Sequence, residues 1–210
     1  MNEELHAAGV VAAAGLSRRM GAFKPLLPCA GSTILQTAVK NLQSAGAFRV
    51  IVVTGYRGEE LERLLKHTER VEIVHNPNYR DGDMLESVQI GLRRLTDADA
   101  AFVLPGDMPA VLPQTFVAVR QRMLETGAKV VFPTLDGRPK HPPLIRAECF
   151  AHICGFRGQG GLRAALQFFT EDTDYCEVSD LGCGMDADTP EQYLRLLRYH
   201  NQTGTQENPR

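Results

Sequence analysis

Residues 10–24 read VVAAAGLSRRMGAFK, and this stretch decides the fold. The apolar run 9–13 has the length and composition of a buried strand. It passes directly into a loop that carries Gly15, Arg18, Arg19, Gly21 and Lys24. A loop with little side-chain bulk lets its N–H groups approach an anion closely. Two arginines and a lysine at the mouth of the strand add charge-assisted hydrogen bonds to a polyphosphate. A nucleotide site at the start of an α/β domain follows. The spacing excludes two other phosphate loops. A P-loop needs G-x-x-x-x-G-K-[ST], whereas five residues separate Gly15 from Gly21 and Ala22 and Phe23 follow. The dinucleotide fingerprint G-x-G-x-x-G is also absent.

The rest of the chain fits one α/β domain. Near-continuous apolar runs at 9–13, 49–54, 71–75, 100–104 and 129–133 predict parallel strands covered on both faces. Helical periods fall between them. Thr33 with Gln36 forms a capping box before Leu35, Ala38, Val39 and Leu42, with Gly46 as the stop. Further periods run through Leu61, Leu64 and Leu65, through Leu85, Val88, Leu92 and Leu95, and through Phe116, Val119 and Met123 after Pro113. Thr189 with Gln192 opens a last helix carrying Tyr193, Leu194 and Leu197. The segment 136–179 breaks the alternation and reads as a loop-rich insertion beside the sheet. The expected domain spans 1–200, with a nucleotide-binding half at 7–110 and an acceptor-binding half at 111–200. The polar tail 201–210 reads as disordered.

Composition narrows the class. The 210 residues are 43% hydrophobic and 23% charged, as in ordinary globular domains. A net charge of -2 argues against a nucleic-acid partner. No run is apolar and long enough to span a membrane, and the N-terminus reads as no secretory signal. Five cysteines without a C-x-x-C pair read as reduced thiols, so a cytoplasmic protein is expected.

Two segments outside the first loop carry carboxylates. LPGDMP (104–109) closes an apolar strand with Asp107. A carboxylate at the C-terminal end of a parallel strand lies where open α/β sheets bind ligands, and its hard oxygens suit magnesium. A turn-forming aspartate would read the same way. GMDADTPEQY (184–193) places Asp186 and Asp188 two apart, on one side of an extended stretch. One of the pair fits a metal and the other a helix cap.

Ala14, Gly15, Ser17, Arg19, Met20, Gly21 and Lys24 match, position by position, the loop of the MobA-like nucleotidyltransferases, which attach a nucleotide to the pterin of the molybdenum cofactor. The resemblance extends along the chain. LPGDMP is similar to the family's Gly-Asp-x-Pro, and the late segment to its Asp-x-Asp-Thr-Pro-Glu. HNPNYRDGDMLESVQIGL (75–92) resembles its Asn-Pro, Gly, Ser, Gly block, and HPPLI (141–145) its Gly-His-Pro-x-Leu, with Lys140 in place of the glycine. GQGGLRAAL (158–166) resembles Gly-Asp-x-Gly-x-Arg, with Gln159 where an acid is usual.

The resemblance implies a Rossmann-like nucleotidyltransferase fold, a mostly parallel central sheet with helices on both faces. It implies transfer of CMP from CTP to the phosphate of molybdopterin, with release of pyrophosphate and use of Mg2+ or Mn2+. Ala13–Ala14–Gly15 followed by KPLLP looks like the cytidylyltransferase branch. Lys24, Arg19 and Asp107 would be catalytic. Ala13, Ala14, Gly15, Ser17, Arg18, Arg19, Gly21, Lys24, Asn76, Ser87 and Asp107 would meet the nucleotide. Asp107 and Asp186 would hold the metal, and His141, Arg163 and Asp188 the acceptor. A molybdoenzyme or its chaperone would receive the product. A GTP-dependent molybdopterin guanylyltransferase, a transferase acting on another phosphorylated acceptor, and a non-catalytic cofactor carrier remain as alternatives.

Overall fold

The computed structural model describes residues 5–203. In chain order the elements are β1 (Ala7–Ala13), a small hairpin of β2 (Pro28–Cys29) and β3 (Ser32–Thr33), α1 (Ile34–Ser44), β4 (Val50–Thr54), α2 (Gly58–Leu65), β5 (Val71–His75), α3 (Met84–Leu92), β6 (Ala100–Pro105), α4 (Pro113–Thr126), β7 (Val130–Leu135), β8 (Arg138–Pro139), β9 (Leu144–Arg146), α5 (Phe150–Gly155), α6 (Gly161–Leu166), β10 (Thr173–Glu177) and α7 (Pro190–Thr203). The main sheet runs β10-β7-β9-β6-β1-β4-β5, with β8 paired to β7. β1 lies parallel to β4 and β6, and β4 to β5. β7 and β10 are parallel, while β9 runs antiparallel to both β6 and β7.

Alternation along the strands divides the core into two layers. Ala7, Val11 and Ala13 join Leu35, Leu42, Phe116 and Met123 on one face, where α1, α2 and α4 pack. Ala8 and Val10 join Val88, Leu92, Ile153 and Leu162 on the other, where α3, α5 and α6 pack. The expected helix signals operate. Thr33 Oγ1 accepts from the Gln36 amide at 3.2 Å, and Gly127 closes α4 in the left-handed region with φ of 69°. The chain goes from β1 outward to β4 and β5, then returns to β6 on the other side of β1. That reversal opens a crevice at the C-terminal ends of β1 and β6, the usual ligand position in such sheets.

The segment 136–179 departs from the loop-rich reading. It supplies β9 and β10 to the main sheet, and β9 splits what would otherwise be a continuous parallel order. β9 is three residues long and follows the cis His141–Pro142 bond, so two prolines mask its short apolar signal. Leu144 serves one core layer and Ile145 the other. β10, TDYCE, is a half-exposed edge strand with no apolar run. In α7 the buried residue is Leu196, whereas Leu194 is exposed. That helix continues to Thr203 and takes in the first three residues of the expected tail, and 204–210 lie outside the described residues.

The contact between α3 and β1 is tight. A Cβ at Gly91 would lie 2.4 Å from Val10 Cγ1 and 3.2 Å from its Cγ2. Gly91→Ala is therefore expected to destabilise the fold by about 1–3 kcal/mol through overpacking. Urea unfolding of the variant tests this, and a loss below about 0.5 kcal/mol would mean that α3 steps back without cost.

Candidate active site

The phosphate-loop candidate is held from within. Ser17 sits in the left-handed region with φ of 52°, and its Oγ accepts from the Lys24 amide at 3.1 Å. Met20 is buried against Cys29, Ile34, Ala110, Ala187 and Leu196, which pins the middle of the loop. A 3-10 turn over Lys24–Leu26 then brings the Lys24 side chain back beneath the strand end. On the facing side, the Gly106 amide donates to Ala12 O at 2.9 Å. A Cβ on Gly106 would sit 3.0 Å from Ala13 Cβ and 3.1 Å from Ala12 O, so glycine lets the β6 end lie flush on β1. The next residue is Asp107. Its carbonyl accepts from the Ala187 amide at 3.1 Å, which fixes the late segment at the same place.

Three carboxylates and two cationic side chains converge there. The Lys24 ammonium donates to Asp107 Oδ2 and to Asp188 Oδ1, the latter at 2.7 Å. Arg19 Nη2 donates to Asp188 Oδ2 at 2.5 Å. Asp186 Oδ1 accepts from Gln192 Nε2 at 2.7 Å. Burial works against the charge on Lys24, but Asp107 and Asp188 more than offset it and raise its pKa. Burial likewise opposes ionisation of Asp188, and Lys24 and Arg19 overcome it, holding that carboxyl below the usual range. Asp186 is pushed up, first by burial and then by the negative charges of Asp188 and Asp107.

This cluster opens into a cavity of about 490 Å³ lined by Ala12–Gly15, Ser17, Arg19, Lys24, Asn76, Ser87, Asp107, His141, Asp186 and Asp188, with Tyr79, Asp83 and Met84 across from the loop. Asn76 and Ser87 are both buried, and Asn76 Nδ2 donates to Ser87 Oγ at 3.1 Å. A second cavity of about 1010 Å³ continues past Asp83, Met108, His141 and Asp186. It is bordered by Arg138, Lys140 and Arg163 and by the stacked rings of Phe132 and Tyr175, 6.3 Å apart at 24°. His141 Nδ1 lies 3.4 Å from Val103 O, and burial lowers its pKa, so the ring is neutral at pH 7.

Most of the residues picked out by sequence therefore meet. Arg18 and Gly21 are exposed and border neither cavity. Asp188 sits with Lys24 and Arg19 at the first cavity, away from the second, whereas Asp186 borders both. The helix cap is Thr189, whose Oγ1 accepts from the Gln192 amide at 3.3 Å. The Gln192 side chain serves Asp186 instead of closing the expected capping box. Tyr79, Asp83 and Met84 also escape a sequence reading, because nothing in their type or spacing marks them.

A switch-point crevice holding a basic loop and an acidic cluster has the make-up of a site for a polyphosphate and its cation. The chain matches the MobA-like NTP transferase domain over residues 9–174. It is 33% identical to the molybdenum cofactor cytidylyltransferase of Escherichia coli over 186 residues, covering 88% of this chain and 92% of that protein. It is 28% identical to a probable molybdenum cofactor guanylyltransferase of Bacillus cereus over 141 residues, covering 67% and 66% of the two chains. A nucleotidyl transferase from Methanothermobacter superposes with a TM-score of 0.79 at 29% identity, over 94% of this chain and 98% of that one. The chain belongs to the MobA-like NTP transferase family.

The charge pattern predicts opposite stability effects for neighbouring aspartates. A carboxyl raised in the fold destabilises it once ionised, and a lowered one stabilises it. In cation-free buffer at pH 7, Asp186→Asn is expected to raise the Tm and Asp188→Asn to lower it. The Asp188 contribution is present above its ordinary value of 3.8 and vanishes as pH falls through the lower folded value. Thermal unfolding of both variants at pH 7 and under acid conditions checks the signs; equal shifts would contradict them.

Proposed function

We propose that this chain transfers CMP from CTP to the phosphate of molybdopterin, releasing pyrophosphate and forming molybdopterin cytosine dinucleotide. The observation that carries this reading is the continuity of the two cavities across His141 and Asp186. One offers a basic loop for a polyphosphate, and the other a stacked aromatic pair with Arg138, Lys140 and Arg163. A flat fused-ring acceptor carrying an anionic group suits that second lining. The AAG loop and the 33% identity to a cytidylyltransferase favour CTP.

A divalent cation, Mg2+ or Mn2+, fits the donor set. Asp186 borders the cavity without a lysine or arginine in ion-pair contact among the described residues. No group of three His, Cys, Asp or Glu side chains forms a metal cage among those residues, and magnesium needs only one or two carboxylates beside water and phosphate oxygens. Asp107 and Asp186 would hold it. When bound, the cation would neutralise phosphate charge during in-line displacement.

The protein's own groups do the rest. An acceptor phosphate carries negative charge, so no strong general base is required; repulsion and alignment are the obstacles. An incoming triphosphate competes with Asp107 and Asp188 for Lys24 and Arg19. Those two side chains and the Ala14–Gly15 amides then stabilise charge growing on the departing pyrophosphate. Asn76 and Ser87 stand at the base end of the cavity, and His141 lies between the two substrates as a neutral group. Arg163 meets the acceptor's anionic end. Alignment of both phosphates supplies much of the remaining acceleration. The dinucleotide would pass to a molybdoenzyme or its chaperone.

Pyrophosphate release from CTP, GTP, UTP and ATP, each with and without molybdopterin, tests the reading. Release with CTP and the pterin alone is expected. Release with GTP would assign the guanylyl reaction that the Bacillus relative's name carries, and tight nucleotide binding without turnover would assign a carrier. Lys24→Ala should lower kcat by about two to three orders of magnitude, as loss of one preorganised donor does. Asp107→Ala should abolish cation-dependent turnover. Near-normal kinetics in either variant would contradict the assigned role.

A further inference from the structure

Three carboxylates meet at the mouth of the first cavity, and among the described residues two of them have cationic partners. Asp107 bonds Lys24, and Asp188 bonds Lys24 and Arg19. Asp186 is held by an uncharged group, Gln192 Nε2, at 2.7 Å. Gln192 stands in the first turn of α7, and its backbone amide donates to Thr189 Oγ1 at 3.3 Å. The helix cap therefore fixes the position from which the side chain reaches Asp186.

The chemistry of that bond is informative. A neutral amide orients a carboxylate without cancelling its charge. Lysine or arginine in the same place would pair the third carboxylate as well and remove the negative charge that a cation seeks. The other side of the amide carries a cost. Gln192 Oε1 is buried and has no hydrogen-bond partner among the described residues, an arrangement rare in folded proteins. Turning the amide over would aim that oxygen at Asp186 Oδ1 and set acceptor against acceptor. The demand of Asp186 thus prevails over the satisfaction of Gln192's own carbonyl.

We propose that Gln192 is a positioning residue that aims ionised Asp186 at the catalytic divalent cation. The inference rests on the proposed reaction, in which Asp186 and Asp107 hold that cation. Partners behind a metal ligand typically contribute about 10–100-fold to metal affinity.

Binding of Mn2+ to the full-length protein with CTP, followed by the EPR signal of free Mn2+, reads this directly. The KM for Mg2+ in pyrophosphate release gives a second readout. Gln192→Leu is expected to weaken Mn2+ by about 10–100-fold and to raise the KM for Mg2+ in parallel. Turnover at saturating Mg2+ should recover to within about threefold, and the Tm in cation-free buffer should stay within a few degrees. Gln192→Lys keeps a donor but adds a charge, so it should weaken Mn2+ at least as much; it also serves as the test should the leucine variant not fold. Mn2+ affinity within about twofold of wild type in either folded variant, while Asp186→Asn weakens it, would overturn the positioning role and leave the proposed reaction standing. Unchanged affinity in both Asp186→Asn and Asp107→Asn would overturn the cation site itself, and the proposal with it.

Discussion

One ammonium group joins the functional end of the molecule. Lys24 bonds Asp107, 83 positions away, and Asp188, 164 positions away. Carboxylates from two distant segments would repel each other at this separation, and a third, Asp186, stands beside them. The half-buried cation makes their convergence tolerable. An exposed ion pair contributes little to stability, but this group is partly withdrawn from water and linked to a second cation at Arg19. Its consequence is architectural: the first loop, the end of β6 and the start of α7 must arrive together.

Apolar packing brings the same three segments together. Met20, Ala110, Ala187 and Leu196 share a small core beside the sheet. Met20 lies next to Arg19, and Ala187 lies between Asp186 and Asp188. Each buried residue thus turns its charged neighbours toward the cavity. Around Ala187 the division follows from alternation along the chain, whereas Arg19 and Met20 are parted by a turn in which the Met20 amide donates to Ser17 O at 3.2 Å; a loop and a helix start thus present functional groups without regular pairing.

Legibility in the sequence followed the length of the buried segments. β1, β4, β6 and β7 announce themselves as apolar runs of five or more residues covered on both faces, and β5, half-buried at the opposite sheet edge, still shows Val71, Ile73 and Val74. β9 does not, because Leu144 and Ile145 are its only apolar residues and prolines precede them. β10 reads as polar because the sheet edge leaves half of it in water. At the site, residue types and their order singled out Lys24, Asp107 and Asp186, since each stands at a motif with its own chemistry. Partnership was hidden. The bond from Lys24 to Asp188 depends on how the whole sheet is assembled, and the same two-apart pattern would serve a helix cap. Gln192 was visible as a capping signal, but its side-chain direction is a property of the folded neighbourhood.

The balance of charge at this site bears on the form in which a nucleotide arrives. With all three carboxylates ionised, two positive side chains (Lys24 and Arg19) stand against three negative ones (Asp107, Asp186 and Asp188), leaving one uncompensated negative charge. A free triphosphate adds several more negative charges to a partly buried place, where repulsion is weakly screened. Moving Lys24 from the carboxylates to the phosphates does not alter that total; it only shifts the deficit onto Asp107 and Asp188. In the proposed reaction a divalent cation brought with the nucleotide would alter it, since it would give the released carboxylate a new partner while Lys24 and Arg19 turned to the phosphates. The same cluster that joins these three segments would thereby disfavour bare polyphosphate and suit its cation complex.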